Sequence, residues 1–210
     1  MAIGDSAFGA GSGGTNNTIV GRLAGTNGGL GSGNVALGTQ ALYNSYGNYL
    51  TAIGKGALFE ATNAGLASTA VGFQAGYNVT SGGYNVFLGS FVSASGGITS
   101  GSNNIVIGKD PTLLTPTTSN QLDMGNLIFA TGLGEGSTLS TGAVGIGVVA
   151  PTQTLEVNGG VRLNTSTSKP TCDSTQRGTF WVTESGAGVK DAVEVCAKDA
   201  ANAYAWRTIY

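Results

Sequence analysis

The residue types that carry enzyme chemistry are scarce in this sequence. No histidine occurs among its 210 residues, so Ser-His-Asp and Cys-His nucleophile systems, a histidine general base and histidine metal ligands are excluded. Asp191 and Glu194 form a close acidic pair, but Lys190 and Lys198 stand beside it. That mixture of charges favours a solvated strand edge over paired acid–base catalysis. The sequence therefore predicts a protein that is not an enzyme.

Motifs for ligand binding are equally weak. Residues 9–14 satisfy the dinucleotide pattern G-x-G-x-x-G, but 37 of the 210 residues are glycine and no βαβ unit surrounds the match. No G-x-x-x-x-G-K phosphate loop is present. A glycosidase would need a cluster of carboxylates, whereas residues 1–110 contain only Asp5, Glu60 and Asp110 as acids. We expect no cofactor and no metal ion.

Cys172 and Cys196 are the two cysteines of the chain, and both fall in its last 42 residues. A domain of that size is rarely stable on core burial alone. A disulfide between them would contribute about 3 kcal/mol in the chain-entropy description, and it would indicate an oxidising, extracellular setting. Two buried thiols or a metal pair are the alternatives, although two cysteines without histidine make a poor zinc site.

The same segment contains four aromatic residues that are candidates for contact with a cell surface: Trp181, Tyr204, Trp206 and Tyr210. The last three alternate along one predicted strand. An aromatic face suits a carbohydrate or a receptor because it combines apolar area with polar groups. The small size of the segment favours the alternative, in which the tryptophans form its core.

The first half of the chain is organised by one short phrase, an apolar pair followed by glycine. Successive glycines of the phrase are separated by 17, 17, 16, 18, 17 and 19 residues. Self-similarity at a near-constant short period is the mark of a solenoid. The seven copies are Ala2-Ile3-Gly4, Ile19-Val20-Gly21, Ala36-Leu37-Gly38, Ala52-Ile53-Gly54, Ala70-Val71-Gly72, Phe87-Leu88-Gly89 and Val106-Ile107-Gly108.

The repeat predicts an all-β fold, a parallel β-solenoid or β-roll of about seven coils of about 17 residues. The period is too short for a pair of helices, and apolar residues do not recur at helical spacing. Each repeat instead has a short β run, such as Asn34 to Leu37 or Asn104 to Ile107, followed by Gly and Asn corners. Parallel coils of this kind stack about 4.8 Å apart.

So thin a coil buries little apolar area, and repeats that cannot bury a face alone rely on stacking or association. The larger residues that follow the glycines are candidates for a seam between chains, and association is favoured over the alternative that they fill the interior of their own coil. These residues are Phe8, Leu42, Leu58, Phe59, Phe73, Tyr77 and Phe91.

The phrase Asn34-Val35-Ala36-Leu37-Gly38-Thr39-Gln40-Ala41 resembles the head repeats of trimeric autotransporter adhesins. Turns such as residues 42–49 are still more similar to the repeat region of bacteriophage tail fibres. The segment Gly145-Ile146-Gly147, followed by Pro151 to Gly159, resembles the neck of such fibres. The resemblance covers about residues 1–164 and implies an intertwined, extracellular homotrimer. Residues 170–207 resemble C-terminal modules of bacterial repeat proteins.

These patterns predict four regions along the chain. Residues 1–110 form the solenoid, and residues 111–164 form an interchain neck of short strands that begins where two prolines stop the repeat or cross over. Residues 165–168 are a linker, and residues 169–210 are a small antiparallel β domain with three strands.

Composition limits the partners. The net charge is −2 and only 10% of the residues are charged, so no electrostatic footprint for nucleic acid is present. No run of eighteen apolar residues occurs, which excludes a membrane-spanning segment, and the N-terminus lacks the pattern of a signal peptide.

The sequence as a whole favours a structural fibre protein outside the cell, similar to a phage tail fibre or an adhesin, that attaches to a glycan or protein receptor. The alternative is the subunit of a self-polymerising extracellular filament. In both cases the first partner of the chain is another copy of itself.

Overall fold

The computed structural model describes residues 1–9, 14–62, 67–91, 99–110, 115–134, 136–163 and 168–209. All regular structure in these ranges is β, and none of them contains a helix suited to crossing a bilayer. The strands are β1 Ala2–Ile3, β2 Thr18–Val20, β3 Val35–Leu37, β4 Thr51–Ile53, β5 Thr69–Val71, β6 Val86–Leu88, β7 Ile105–Ile107, β8 Leu122–Met124, β9 Ile128–Ala130, β10 Val144–Ile146, β11 Leu155–Val157, β12 Phe180–Thr183, β13 Ala192–Lys198 and β14 Tyr204–Thr208.

The repeated phrase forms the strands that it predicts. Strands β1 to β7 coincide with its seven copies and pair in parallel in chain order, which makes a β-solenoid of about six turns. Each strand stacks on the next without a shift in register, so that Leu37 lies beside Ile53 and Ile53 beside Val71. The parallel solenoid is therefore confirmed.

The interior of the solenoid is narrow and filled mainly by small residues. The middle residue of each strand from β2 to β7 points inward and is buried. Alanines three residues after the phrase glycines complete this core. The middle residues are Ile19, Ala36, Ala52, Ala70, Phe87 and Val106, and the alanines are Ala24, Ala41, Ala57 and Ala75.

The glycine of each phrase is required for two reasons. Gly72 has a φ of +137°, which an L side chain rarely adopts, and a Cβ built on it would lie 2.1 Å from the carbonyl oxygen of Gly89 in the next coil. The glycines at the same position in the other coils have φ between +130° and +139°. The recurring glycine thus permits both the turn and the close stacking of the coils.

A second column of buried side chains binds the coils together through the residue just before each strand. The Asn85 Oδ1 atom accepts the backbone N–H of Asn104 at 2.9 Å, and its Nδ2 group donates to the Gly101 carbonyl at 2.9 Å. The Asn104 Oδ1 atom repeats the pattern with the N–H of Gln121 at 2.9 Å. Leu50 occupies this position in one coil and interrupts the ladder, because it has no polar atom in its side chain.

The sheet continues beyond the predicted end of the repeat. β8 pairs in parallel with β7, β9 and β10 then reverse direction in turn, and β11 pairs in parallel with β10. The parallel pairing therefore continues past the proline segment, of which residues 111–114 lie outside the described residues. Residues 161–163, an apolar run after β11, do not form a strand.

The large residues after the glycines have three different environments. Leu42 and Leu58 are buried in the interior of their own coils, so the prediction that they form a seam between chains is wrong. Phe8 also packs against this core. The rings of Tyr43, Phe59 and Tyr77 stack along three coils, with centroids 4.8 and 4.6 Å apart.

Phe73 and Phe91 are the members of the predicted seam that stay exposed, at 38% and 37%. Their rings meet edge to face with centroids 5.0 Å apart. They are therefore the predicted seam residues that remain accessible to another molecule.

The chain divides into two compact units, Met1–Gly159 and Gly160–Tyr210. The second unit contains the antiparallel sheet of β12, β13 and β14, with β13 in the centre. Residues 199–202 form the predicted hairpin loop between β13 and β14, where the Asp199 carboxylate accepts the N–H groups of Ala201 and Ala203 at 2.9 Å. Cys172 and Cys196 form a disulfide with their Cα atoms 5.4 Å apart.

Candidate functional site

The predicted contact residues of the second unit lie on one face of its sheet. Trp206 is opposite Cys196 and Tyr204 is opposite Lys198, while Trp181 is opposite Glu194 on the other side of β13. The indole rings of Trp181 and Trp206 are 6.2 Å apart between centroids. Trp181, Tyr204 and Trp206 are half-buried, and Tyr210 lies outside the described residues.

The segment before β12 covers this aromatic face. The Trp206 Nε1–H group donates to the Pro170 carbonyl at 2.9 Å, and the Lys169 Nζ atom lies 5.1 Å from the centre of a Trp206 ring. The disulfide joins Cys172 of the same segment to the central strand. This arrangement is what a core role for the tryptophans requires, and contact with a cell surface stays a prediction.

Lys169, which belongs to the covering segment, also forms an ion pair with Glu194 of β13. The hydrogen bond from the Lys169 ammonium is the main reason that the pKa of the Glu194 carboxyl lies below its usual range. The two acids noted in the sequence have separate partners. Glu194 pairs with Lys169, whereas the Asp191 carboxylate accepts the Ser185 N–H at 2.7 Å. The pair thus serves the structure of the second unit.

The first unit presents a continuous apolar surface on the outer face of its sheet. The third residue of each parallel strand points outward and stacks on its equivalent in the next coil, and the reversed strands continue the series. We refer to this series as the aliphatic column. It consists of Ile3, Val20, Leu37, Ile53, Val71, Leu88, Ile107, Met124, Ile128, Ile146 and Val157.

No residue of the aliphatic column is buried: seven of the eleven are exposed, and Val20, Ile107, Ile128 and Val157 are half-buried. Leu37, Ile53, Val71 and Leu88 each expose 37% of their surface. Eleven side chains spaced at about 4.8 Å form a stripe on the order of 50 Å long. Single exposed apolar residues are ordinary in proteins, but contiguous apolar patches mark interaction surfaces.

An open groove of about 750 Å³ lies beside this surface, between two coils and the connection from β9 to β10. Its lining includes Tyr84, Leu133 and the outward residues that begin β6 and β7, Val86 and Ile105. We refer to Val86 and Ile105 as the floor residues and to the connection from β9 to β10 as the wall. Ser102, Asn103 and Ser140 contribute polar groups, so the described lining carries no charge.

The wall of the groove is fixed by backbone hydrogen bonds. The Leu133 N–H donates to the Asn120 carbonyl at 3.0 Å, and the Thr131 N–H donates to the Ala143 carbonyl at 3.0 Å. The Gly134 N–H donates to the Ser140 hydroxyl at 2.7 Å. The groove is therefore formed before any ligand is bound.

A buried carboxyl group lies where the parallel strands end. Asp123 occupies the inward position of β8, between Val106 of β7 and Phe129 of β9, and it is fully buried. Its Oδ1 atom accepts the Asn126 N–H at 2.9 Å, while its Oδ2 atom has no hydrogen-bond partner among the described residues. Burial raises the pKa of this carboxyl above its usual range.

Gln121, two residues earlier on the same face, has a matching defect. Its Nε2 group donates to the Thr118 carbonyl at 2.7 Å, but its Oε1 atom has no partner among the described residues. A proton on Asp123 would turn one of these two unpaired acceptors into a donor.

Across the described ranges, His, Cys, Asp and Glu side chains nowhere form a group of three that could hold a metal ion. The G-x-G-x-x-G match cannot be assessed, since residues 10–13 lie outside those ranges. What the described surface offers is an apolar stripe and an uncharged groove, which suit binding.

The residues that sequence reasoning missed carry recognisable signals. Asn17, Asn34, Asn85 and Asn104 each stand directly before a strand, and an amide that recurs at one position of a repeat indicates a buried ladder. Asp123 is an acid at a position that is apolar in the preceding coils.

No protein-family model, no curated protein and no solved structure matches this chain.

Proposed function

We propose that this chain is a non-enzymatic, extracellular fibre protein that associates with further copies of itself and attaches to a cell surface. The observation that carries the proposal is the aliphatic column. A stripe this long and this apolar is costly to leave in water, since each buried Å² of apolar surface contributes roughly 25 cal/mol. A second copy of the chain presents the same stripe, and the two can pack along their length.

Three chains are the number that we propose. The column is one residue wide and keeps its register from coil to coil, so equivalent columns can converge on a common axis parallel to the stacking direction. The number itself rests on the resemblance to trimeric adhesin heads and phage tail fibres. In such a trimer of about seven coils per chain, the chains would associate along the aliphatic column, because β8 to β11 are already paired within their own chain.

The mass in solution tests this proposal. The expected particle has about three times the 20.8 kDa of one chain, measured by light scattering after size exclusion. Val71→Glu places a charge in the middle of the column and should shift the protein to monomers. Ser81→Glu, at an exposed turn outside the column, should leave the mass unchanged. A monomeric wild-type protein would overturn the proposal.

A second candidate is the subunit of an open filament. β11 pairs only with β10 among the described strands, and it runs in the same direction as β1 to β8. Its free edge can accept a parallel strand from another copy, as exposed edges do. Negative-stain images that show long filaments with an axial repeat would favour this candidate, whereas short particles of uniform length would favour the trimer.

A further inference from the structure

We propose that the groove between Tyr84 and Leu133 binds an uncharged saccharide, with the Tyr84 ring as the platform against which a sugar ring packs. The inference rests on the proposed attachment function, since it assigns a ligand class to a surface of the same fibre. It places recognition on the solenoid unit rather than on the aromatic residues of the second unit.

The residue type of Tyr84 is not explained by the backbone. Tyr84 stands two residues before β6 with a φ of +58°, a left-handed conformation that bulky side chains rarely adopt. The equivalent positions before β2, β3 and β7 carry Asn16, Gly33 and Asn103, which tolerate this conformation well. Before β4 and β5 they carry Tyr49 and Ala67. What distinguishes Tyr84 is that its ring, in a residue 57% exposed, lines the groove and is available to a ligand there.

The chemistry of the lining selects the ligand class. A sugar ring has an apolar face of C–H groups, which suits an exposed aromatic ring, and hydroxyl groups at its edge. The Ser102 and Ser140 hydroxyls accept the N–H groups of Gly83 and Gly134 at 3.1 and 2.7 Å, which leaves the hydroxyl protons for a ligand oxygen. The described lining carries no charge, so it offers an anionic ligand no positive counter-charge. Residue 135, between Gly134 and Gly136, lies outside the described residues, and as a glutamate it would not supply one.

The size of the groove agrees with this class. Sites for small ligands usually occupy roughly 300–1,000 Å³ and combine apolar walls with a few placed polar groups. The groove of about 750 Å³ has Val86, Ile105 and Leu133 as its apolar part. Because the wall is already held by its own hydrogen bonds, binding requires little ordering of the chain.

The groove and the aliphatic column use different parts of the outer face. The floor residues Val86 and Ile105 begin their strands, whereas the column consists of the residues that end them, Leu88 and Ile107 in the same coils. Association along the column therefore leaves the groove on the flank of the assembly, where a cell-surface glycan can reach it.

Saturation-transfer NMR on the full chain tests the proposal. The probes are the methyl glycosides of glucose, galactose and mannose, N-acetylglucosamine, and glucuronate and sialyllactose as anionic controls. We expect transfer to at least one neutral probe and none to the anionic ones. Tyr84→Ala should weaken that binding roughly tenfold, the contribution of one good aromatic contact.

Tyr49→Ala is the matched control. Tyr49 occupies the same position before β4, with a φ of +57° and 64% exposure, but it does not line the groove. Loss of binding in both variants, or in neither, would overturn the assignment of the site. Binding only to the anionic probes would overturn the ligand class.

The mass of each sample separates this inference from the proposed function. A trimer that binds none of the neutral probes removes the saccharide site and leaves the fibre in place. A monomer that binds a neutral probe through Tyr84 supports the site while the trimer fails. A trimer in which Tyr84 resists nitration by tetranitromethane while Tyr49 reacts would show that a neighbouring chain fills the groove, which overturns the inference.

Discussion

Single buried polar residues decide how firmly the coils are joined. Asn85 shows what an asparagine of the ladder does: its side chain accepts the backbone N–H of Asn104 and donates to the carbonyl of Gly101. Backbone groups that are buried away from water at the turns are thereby hydrogen-bonded. Asp123 is the opposite case, since one of its oxygens is buried without a partner among the described residues. Among the described residues, three of the four buried side-chain atoms without a partner lie in or just before β8, in Asn120, Gln121 and Asp123, and the fourth is the Ser45 hydroxyl.

Asn85→Ala should lower the free energy of unfolding by about 2–4 kcal/mol. The change leaves the N–H of Asn104 and the carbonyl of Gly101 without their partners, and each unpaired buried group costs about 1–3 kcal/mol. Urea unfolding followed by far-ultraviolet circular dichroism measures the loss. Ser81→Ala at an exposed turn serves as the control, and an equal, small effect of both changes would contradict a role for the ladder.

Asp123→Asn should stabilise the protein at neutral pH by about 1–3 kcal/mol. The amide keeps an oxygen for the Asn126 N–H, and its neutral NH2 group replaces the unpaired carboxylate oxygen, which removes the cost of burying a charge there. The melting temperature of the variant against wild type is the measurement, with the exposed Asp5→Asn as control. A less stable Asp123→Asn protein would mean that the fold needs the negative charge.

At the scale of elements, the stacking of identical turns explains why the strands were predictable. In the phrase Ala52-Ile53-Gly54, the first residue points inward, the second points outward and the third must be glycine. β4 contains the first two residues in this arrangement. The strands of the second unit were equally readable, because apolar runs flank the loop at residues 199–202. Local sequence patterns were sufficient to predict a strand wherever residues close in the chain determine its position.

The parts that the sequence did not reveal depend on residues distant in the chain. The continuation of the sheet through β8 to β11 depends on Ile105 meeting Leu122 across a proline segment, and no local pattern indicates that pairing. Leu42 looked available to another chain because it follows a glycine corner, whereas its left-handed backbone, with a φ of +50°, accompanies a buried side chain. The groove of Tyr84 likewise requires the connection after β9, which returns to an earlier coil.

Gly72→Ala should disrupt the solenoid, with a loss of at least about 3 kcal/mol or failure to fold. The new Cβ would lie 2.1 Å from the Gly89 carbonyl oxygen at a backbone conformation that alanine disfavours. Gly160→Ala is the control, since a Cβ there meets no atom within 4 Å. Soluble yield and thermal unfolding report the difference, and a Gly72→Ala protein as stable as its control would refute the stacking geometry.

On the scale of the whole molecule, two units with different means of stabilisation share one chain. The first relies on stacked backbone and a narrow apolar core, and the second relies on a disulfide, two tryptophans and the ion pair of Lys169 with Glu194. Both tryptophans of the sequence lie in the second unit. Their fluorescence therefore reports that unit alone, whereas circular dichroism is dominated by the larger sheet.

Removal of the disulfide should affect only one of these signals. Cys172→Ser with Cys196→Ser releases a loop with a sequence separation of 24 residues, and about 3 kcal/mol of stability should be lost in the chain-entropy description. The tryptophan transition should move to lower temperature while the circular dichroism transition stays in place. A shift of both transitions together would show that the two units unfold as one.

Acid should weaken the second unit through Glu194. Glu194 has a lowered pKa in the fold, so its contribution is present above the ordinary glutamate value of 4.5 and is lost as the pH falls below it. In the first unit, Asp123 has a raised pKa, so its protonated form is favoured in the fold and stability falls as the pH rises from the ordinary value of 3.8. Glu156 of the same unit acts in the opposite direction, because hydrogen bonds from the Thr152 N–H and hydroxyl lower its pKa. Circular dichroism melts of wild type and Asp123→Asn from pH 3 to 8 therefore isolate the effect of Asp123, and fluorescence melts follow the second unit.

The unshifted stacking of coils has an evolutionary consequence. Each coil contacts chiefly the coil before it and the coil after it, and these contacts are nearly the same throughout β2 to β7. Recombination between similar stretches of the gene can therefore add or remove one whole period, which changes the length of the solenoid by about 4.8 Å and leaves every remaining contact intact. The length of the solenoid can thus be inherited as a variable trait, adjusted without any change in the residues of the remaining coils.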